Sequence, residues 1–225
     1  PMGLVAIDLA LHGPVKPSVV LVTDLDQNRL ARAKEIFTPE KAAEDGITLI
    51  FSSSSDKDTQ VTLAGGEFDD VFVYAPVPAV VELGDAILGF DGCLNFFAGP
   101  SRADFSAMFN FYNVHYAYTH VVGTSGGNTD DMIEGLHLMG KGLDPAGLVT
   151  HIGGLNAVPE ATLHLPEIPG GKKLIYNHIE MPLTPIADFA KLGESDERFK
   201  TLDELCQKHQ GLWNVEAETF LLNNF

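Results

Sequence analysis

Apolar positions in this chain recur at two spacings, and the spacing changes repeatedly along its length. Leu4, Ile7, Ala10 and Leu11 fall at helical intervals, and Val19 to Val22 form a continuous apolar run. This predicts a helix followed by a strand buried on both faces. Asp26 is placed to cap a second helix that carries Leu30, Ala33 and Ile36 on one side. Ile47 to Phe51 read as a strand, SSSSDKD at 52–58 as a low-complexity surface loop, and Val71 to Tyr74 as the next strand. VPAVVELGDAIL then predicts a helix with proline in its first turn, and GCLNFFAG a strand ending at Gly99. Short connections between alternating strands and helices favour a parallel sheet with helices on both sides.

Beyond Pro100 the pattern changes. The aromatic-rich FSAMFNFYNVHYAYTHVVGTSGG alternates as one or two strands would. Thr129 is a candidate cap for a helix through Met132, Leu136 and Met139, with Asp130 and Asp131 in its first turn. LVTHIGG and KKLIYNHI suggest two final strands. From about Met181 the chain becomes more charged, and DELCQKHQGLWNVEAETFLLNNF reads as one or two amphipathic helices. The expected organisation is an α/β domain over residues 1–179 and a helical extension over 180–225.

Composition narrows the partners. The 225 residues carry 31 acidic against 14 basic side chains, a formal charge of -17, which opposes binding to nucleic acid. Arg29, Arg32 and Lys34, like Lys172 and Lys173, read as solvated faces rather than binding patches. No apolar stretch is long enough for a membrane span, so the chain reads as soluble and globular. Cys93 and Cys206 can build neither a disulfide framework nor a CxxC metal pair, which fits a reducing cytoplasm.

The sharpest chemical candidate is Asp24. It ends the second predicted strand of a dinucleotide-binding pattern, about twenty residues after a glycine turn, where a carboxylate accepts hydrogen bonds from the adenosine ribose. Its charge opposes a 2'-phosphate, as does that of Asp26, so NAD is favoured over NADP. Pro1, Met2 and Gly3 would supply turn geometry and backbone amides to the pyrophosphate at a helix N-terminus. Gly3 would be the third glycine of the turn, allowing close helix-to-strand packing. On this reading the sequence begins inside the turn, with two glycines and a first strand upstream.

PMGLVAIDLA, VVLVTDLDQNRLARAKE, FFAGP, HVVGTSGGNTDDMIEGLHLMGKG and LVTHIGGLNAVPEA leading to GGKKLI, in this order, resemble the zinc-type medium-chain alcohol and polyol dehydrogenases, which include sorbitol dehydrogenase. The tail ending LWNVEAETFLLNNF is similar to the subgroup that includes sorbose 1-phosphate reductase. The resemblance implies a Rossmann-type doubly wound parallel sheet and a small-molecule polyol, ketose or sugar-phosphate substrate. It places Ala75 and Pro76 on the adenosine side of the cleft, and Phe97, Ala98 and Gly99 with Thr124 and Ser125 beside the nicotinamide. Arg29 lies five residues after Asp24, where the dehydrogenase family that this chain resembles often places a basic residue against the same adenosine ribose.

Zinc belongs, in the resemblance, to a separate catalytic domain, and His115, His120, His151, His164 and His178 form no ligand triplet with either cysteine at a recognisable spacing. No catalytic or metal residue is therefore assigned here. A homodimer is implied, and the aromatic group Phe105, Phe109, Phe111, Tyr112 and Tyr116 is read as core or subunit interface. Asp69 and Asp70, before a strand at the opposite end of the sheet, read as a solvated turn. A chain holding only this half is expected to bind cofactor weakly and catalyse nothing. The alternatives are a non-catalytic nucleotide-binding or oligomerisation module, and a zinc-free quinone-reductase-like enzyme using NADPH.

Overall fold

A computed structural model describes residues 2–225. The first helix, α1 (Met2–His12), runs across the division between two compact units. One unit comprises Leu9–Gly142, and the other joins Leu143–Phe225 to the residues up to Asp8.

In the Leu9–Gly142 unit, β1 (Val19–Thr23) leads into α2 (Gln27–Ile36), α3 (Pro39–Glu44), β2 (Thr48–Ser52), α4 (Lys57–Ala64) and β3 (Phe68–Val73). α5 (Pro78–Ala86), β4 (Leu88–Phe96), α6 (Phe111–Tyr116), β5 (His120–Gly123) and α7 (Thr129–Met139) follow. Helix starts are set locally. Asp26 accepts from the amides of Asn28 and Arg29, and Asp56 from that of Thr59, so 52–58 is not simply a loop: it ends β2, caps α4 and forms its first turn. α7 is capped by Asn128 rather than Thr129. Its partner Asp131 returns a bond to the Asn128 amide, which completes a capping box one residue earlier than expected.

The strands are parallel, as expected, but form separate ladders. β1 pairs with β2, and β3–β4–β5 form a second sheet. Among the described residues, no strand pairs with the other edge of β1 or of β3. Val19–Val22 are accordingly half-buried, not buried on both faces. α5 packs one face of the larger sheet, where Val73, Val81, Leu88 and Leu94 make a core. Gly84 permits that approach, since a Cβ there would lie 2.8 Å from Leu94 Cδ1.

The aromatic segment departs from expectation. Phe111–Tyr116 is helical and only His120–Gly123 is a strand, while 105–110 alternates in burial without joining a ladder. Phe105, Ala107 and Phe109 turn inward onto the α5 core, whereas Phe111, Tyr112 and Tyr116 are exposed. Asp70 lies within β3, beside Cys93 of β4, rather than in a turn before it.

The second unit holds β6 (Val149–Gly154), α8 (Val158–Leu163), β7 (Lys172–Tyr176), β8 (Thr184–Pro185), α9 (Phe189–Leu192), α10 (Glu197–Gln207) and α11 (Val215–Asn224). β6 is central, parallel to β7 and antiparallel to β8. The segment after residue 179 is integral to this unit. Ile179, Met181, Phe189, Leu202, Cys206, Trp213, Ala217 and Leu221 form one core with Ile152 of β6, so the contacts run across residue 179. Gly154 is required by the same packing, because a Cβ there would stand 2.3 Å from the Ile179 carbonyl oxygen. Tyr176 ties β7 to the helices, donating to Glu218 Oε1 at 2.7 Å and accepting from Trp213 Nε1 at 2.9 Å.

His151 of β6 is buried, with Nδ1 2.8 Å from Thr150 Oγ1. Burial, and then the nearby Lys173 charge, hold its pKa below the ordinary 6.5. The unfolded chain gains the proton before the folded one, so stability is unaffected above pH 6.5 and falls as pH drops below it. The urea midpoint is expected to be lower at pH 5 than at pH 7, and His151→Asn should flatten the difference. Equal midpoint shifts in both proteins would show that His151 is not the group responsible.

Candidate cofactor site

Parallel pairing puts the carboxyl ends of neighbouring strands in register, and this gathers most of the sequence candidates. Val73, Phe96 and Gly123 form one row across β3–β4–β5. Ala75 and Pro76, Phe97 to Gly99, and Thr124 and Ser125 therefore leave the sheet on the same edge. Phe97 and Ala98 amides both donate to the Val73 carbonyl, at 3.1 and 2.9 Å, fixing the β4 exit against β3. Ala98 is buried, while Gly99, Thr124 and Ser125 are exposed and leave their backbone groups accessible. The Tyr74 ring lies 5.5 Å from that of Phe97 at this edge. Tyr74 was not singled out from sequence, although its place at a strand end was signal enough.

Asp24 follows the Thr23–Ser52 row at the carboxyl end of the β1–β2 ladder, and its amide donates to the Ser52 carbonyl at 3.4 Å. Its carboxylate is already organised. Arg29 grips it with both edges of the fork, Nε to Oδ2 at 2.8 Å and Nη2 to Oδ1 at 2.7 Å, and the Asp26 amide adds a bond to Oδ1 at 2.9 Å. The guanidinium bonds, opposed by partial burial, hold the Asp24 carboxyl below its ordinary pKa. The Leu25 backbone adds a further contribution, so the roughly four accepting positions of the carboxylate are largely engaged within the protein. Arg29 Nη1 has a 3.8 Å ion contact with Asp26. Seating a vicinal diol on the Asp24 carboxylate would require one of these donors to yield.

Met2 and Gly3 form the start of α1 and belong to the other unit, and Pro1 lies outside the described residues. A Cβ at Gly3 would meet nothing within 4 Å, so the close helix-to-strand packing expected of this glycine is not made within the described residues. Among these residues no three His, Cys, Asp or Glu side chains are grouped to share a metal ion, so they do not fit a zinc site by themselves. No helix among them is long and apolar enough to cross a membrane.

The fold is that of the Rossmann-type dehydrogenases. It matches 2R,3R-butanediol dehydrogenase from Bacillus subtilis with a TM-score of 0.59, at 20% identity, over 79% of this chain and 48% of that one. It also matches a short chain alcohol dehydrogenase from E. coli CFT073, complexed with cofactor NADH, with a TM-score of 0.57, at 18% identity, over 78% of this chain and 48% of that one. Sequence narrows the class. The chain is 50% identical over 228 residues to mannitol-1-phosphate 5-dehydrogenase of Aliivibrio fischeri, covering 99% of this chain and 54% of that protein. It is 46% identical over 224 residues to L-sorbose 1-phosphate reductase of Klebsiella pneumoniae, covering 99% and 52%. It is 54% identical over 231 residues to the uncharacterized protein YggP of Escherichia coli K12, covering 100% and 54%. No protein-family model matches the chain. The chain is thus similar along its whole length to sugar-phosphate and polyol-phosphate dehydrogenases and reductases, and it spans about half the length of the curated relatives it matches.

Proposed function

We propose that this chain is the cofactor-aligning part of an oxidoreductase that transfers hydride between NAD(H) and the carbinol or carbonyl carbon of a polyol, ketose or sugar phosphate. The observation that carries the cofactor assignment is the Asp24–Arg29 pair at the carboxyl end of β1. The names of the sugar-phosphate relatives support the substrate class. Asp24 and Arg29 would hold the ribose diol, Ala75 and Pro76 would line the adenosine side, and the backbone groups of Phe97 to Gly99, Thr124 and Ser125 would orient the nicotinamide. In a zinc-type enzyme the metal polarises the substrate oxygen. No three His, Cys, Asp or Glu side chains among the described residues are grouped to hold it, and the contribution proposed for these residues is alignment of the cofactor.

The acidic pair Asp24 and Asp26 supports NAD over NADP, since a 2'-phosphate would be set against two carboxylates with one guanidinium between them. Exposed Phe111, Tyr112 and Tyr116 support a homodimer interface, and two free cysteines support a cytoplasmic setting. Titration of the chain with NADH and NADPH, followed by nicotinamide fluorescence, tests the reading. NADH is expected to bind, with NADPH weaker by roughly tenfold or more. Equal affinities would remove the NAD preference, and no binding of either nucleotide would remove the cofactor assignment.

A further inference from the structure

The segment 105–110 has the alternation of a strand but pairs with no strand among the described residues. Phe105, Ala107 and Phe109 pack onto the core under α5, and Phe105 stacks on Phe96 of β4 with ring centroids 5.5 Å apart. The outward-facing residues leave main-chain amides that a sheet neighbour would ordinarily accept. Two of these are accepted instead by carboxylates one helical turn apart on α5. The Met108 amide donates to Glu82 Oε1 at 3.2 Å, and the Asn110 amide to Asp85 Oδ2 at 2.9 Å.

These carboxylates stand where a helix least favours them. The last turn of α5 has no basic residue, and negative charge near a helix C-terminus opposes the macrodipole. Asp85 is only 4% exposed, and its Oδ1 has no hydrogen-bond partner among the described residues. A buried carboxylate in this position is costly unless its bond is needed. What the bond holds is the return arm of the loop that leaves β4. Residues 97–104 depart from β4 with the Phe97 and Ala98 amides pinned to Val73, turn through Arg102, whose carbonyl accepts from the Phe105 amide, and come back along α5. Both arms of the loop are thereby fastened to one core.

We propose that Asp85, assisted by Glu82, is a positioning residue for the nicotinamide end of the cofactor: by fastening strap 105–110 to α5 it fixes the Phe97–Gly99 exit from β4. This assignment rests on the cofactor reading above, and it extends that reading to residues that do not themselves lie at the strand ends. It separates the two halves of the nucleotide, because Asp24 and Arg29 serve the adenosine half and do not depend on the strap.

The test compares NADH with 5'-AMP, which lacks the nicotinamide, on the whole chain. Asp85→Ala is expected to weaken NADH binding roughly tenfold and leave 5'-AMP within about twofold. Asp85→Asn, whose amide oxygen can take the same bond, should restore most of the NADH affinity. Glu82→Ala, at a half-exposed position, should produce a smaller loss of the same kind, and it carries the test if Asp85→Ala does not fold by circular dichroism. An unchanged NADH to 5'-AMP affinity ratio in the folded variants overturns the inference and leaves the cofactor reading standing. If the unaltered chain binds neither ligand, the cofactor reading has failed and the inference falls with it.

Discussion

Phe189→Ala should destabilise the unit containing β6 to α11 by about 3–5 kcal/mol, the usual cost of deleting a fully buried phenyl ring. Phe189 is 0% exposed and lies against Phe199 and Trp213, at centroid distances of 5.7 and 6.4 Å. Its loss would open a cavity bordered by Leu202, Cys206 and Leu221, which are equally buried. The chain's single tryptophan gives a direct readout, because Trp213 belongs to this core and donates to Tyr176. Urea unfolding followed by Trp213 fluorescence should move to a markedly lower midpoint. A loss below about 1 kcal/mol would mean that the 180–225 segment is loosely attached rather than a shared core. Burial also pushes the Cys206 thiol up to about 12, so it should stay unreactive toward thiol reagents until the same transition.

That core explains why the boundary was hard to read from sequence. Composition shifts near Met181, but the apolar residues of α10 and α11 face Ile152, Leu174 and Tyr176, which come earlier in the chain. Composition reports what is exposed along a segment and does not identify the surface its buried side meets. Elements governed by neighbours a few residues away were legible: α2 follows from Asp26, and β1 from Val19–Val22. The α7 start was legible to within one residue, and the choice between Asn128 and Thr129 could have been made from Asp131, which sits at the capping-box spacing from Asn128. The strap was not legible as such. Its alternation was real, but the acceptors that replace a sheet are side chains 25 and 26 residues earlier, and no local spacing reveals them.

The candidate site divides along the same line. Strand ends could be located from the apolar runs, which is why Ala75, Phe97 and Thr124 fall on one edge. Asp24 could be recognised as a strand-end carboxylate. That Arg29 would occupy two of its accepting positions could not, since a basic residue on an exposed helix face is compatible with many orientations.

The state of that pair gives the second large effect. Asp24→Ala removes the acceptor for a ribose hydroxyl and releases Arg29 from both of its 2.7 and 2.8 Å bonds. A charged hydrogen bond contributes about 1.5–3 kcal/mol, so NADH affinity should fall roughly ten- to hundredfold. NADPH should respond in the opposite sense. The guanidinium, no longer held by Asp24 and with only its longer contact to Asp26, becomes available to a 2'-phosphate, for which its fork is well matched. The NADH to NADPH preference is therefore expected to collapse or reverse. Asp24→Ala,Arg29→Ala should lose NADH affinity without the gain in NADPH, because the cation that would receive the phosphate is gone. Calorimetric titration of both variants with both nucleotides distinguishes these outcomes. A preference unchanged by Asp24→Ala would mean that the ribose is bound elsewhere and that the Asp24–Arg29 pair only fastens the start of α2 to the end of β1.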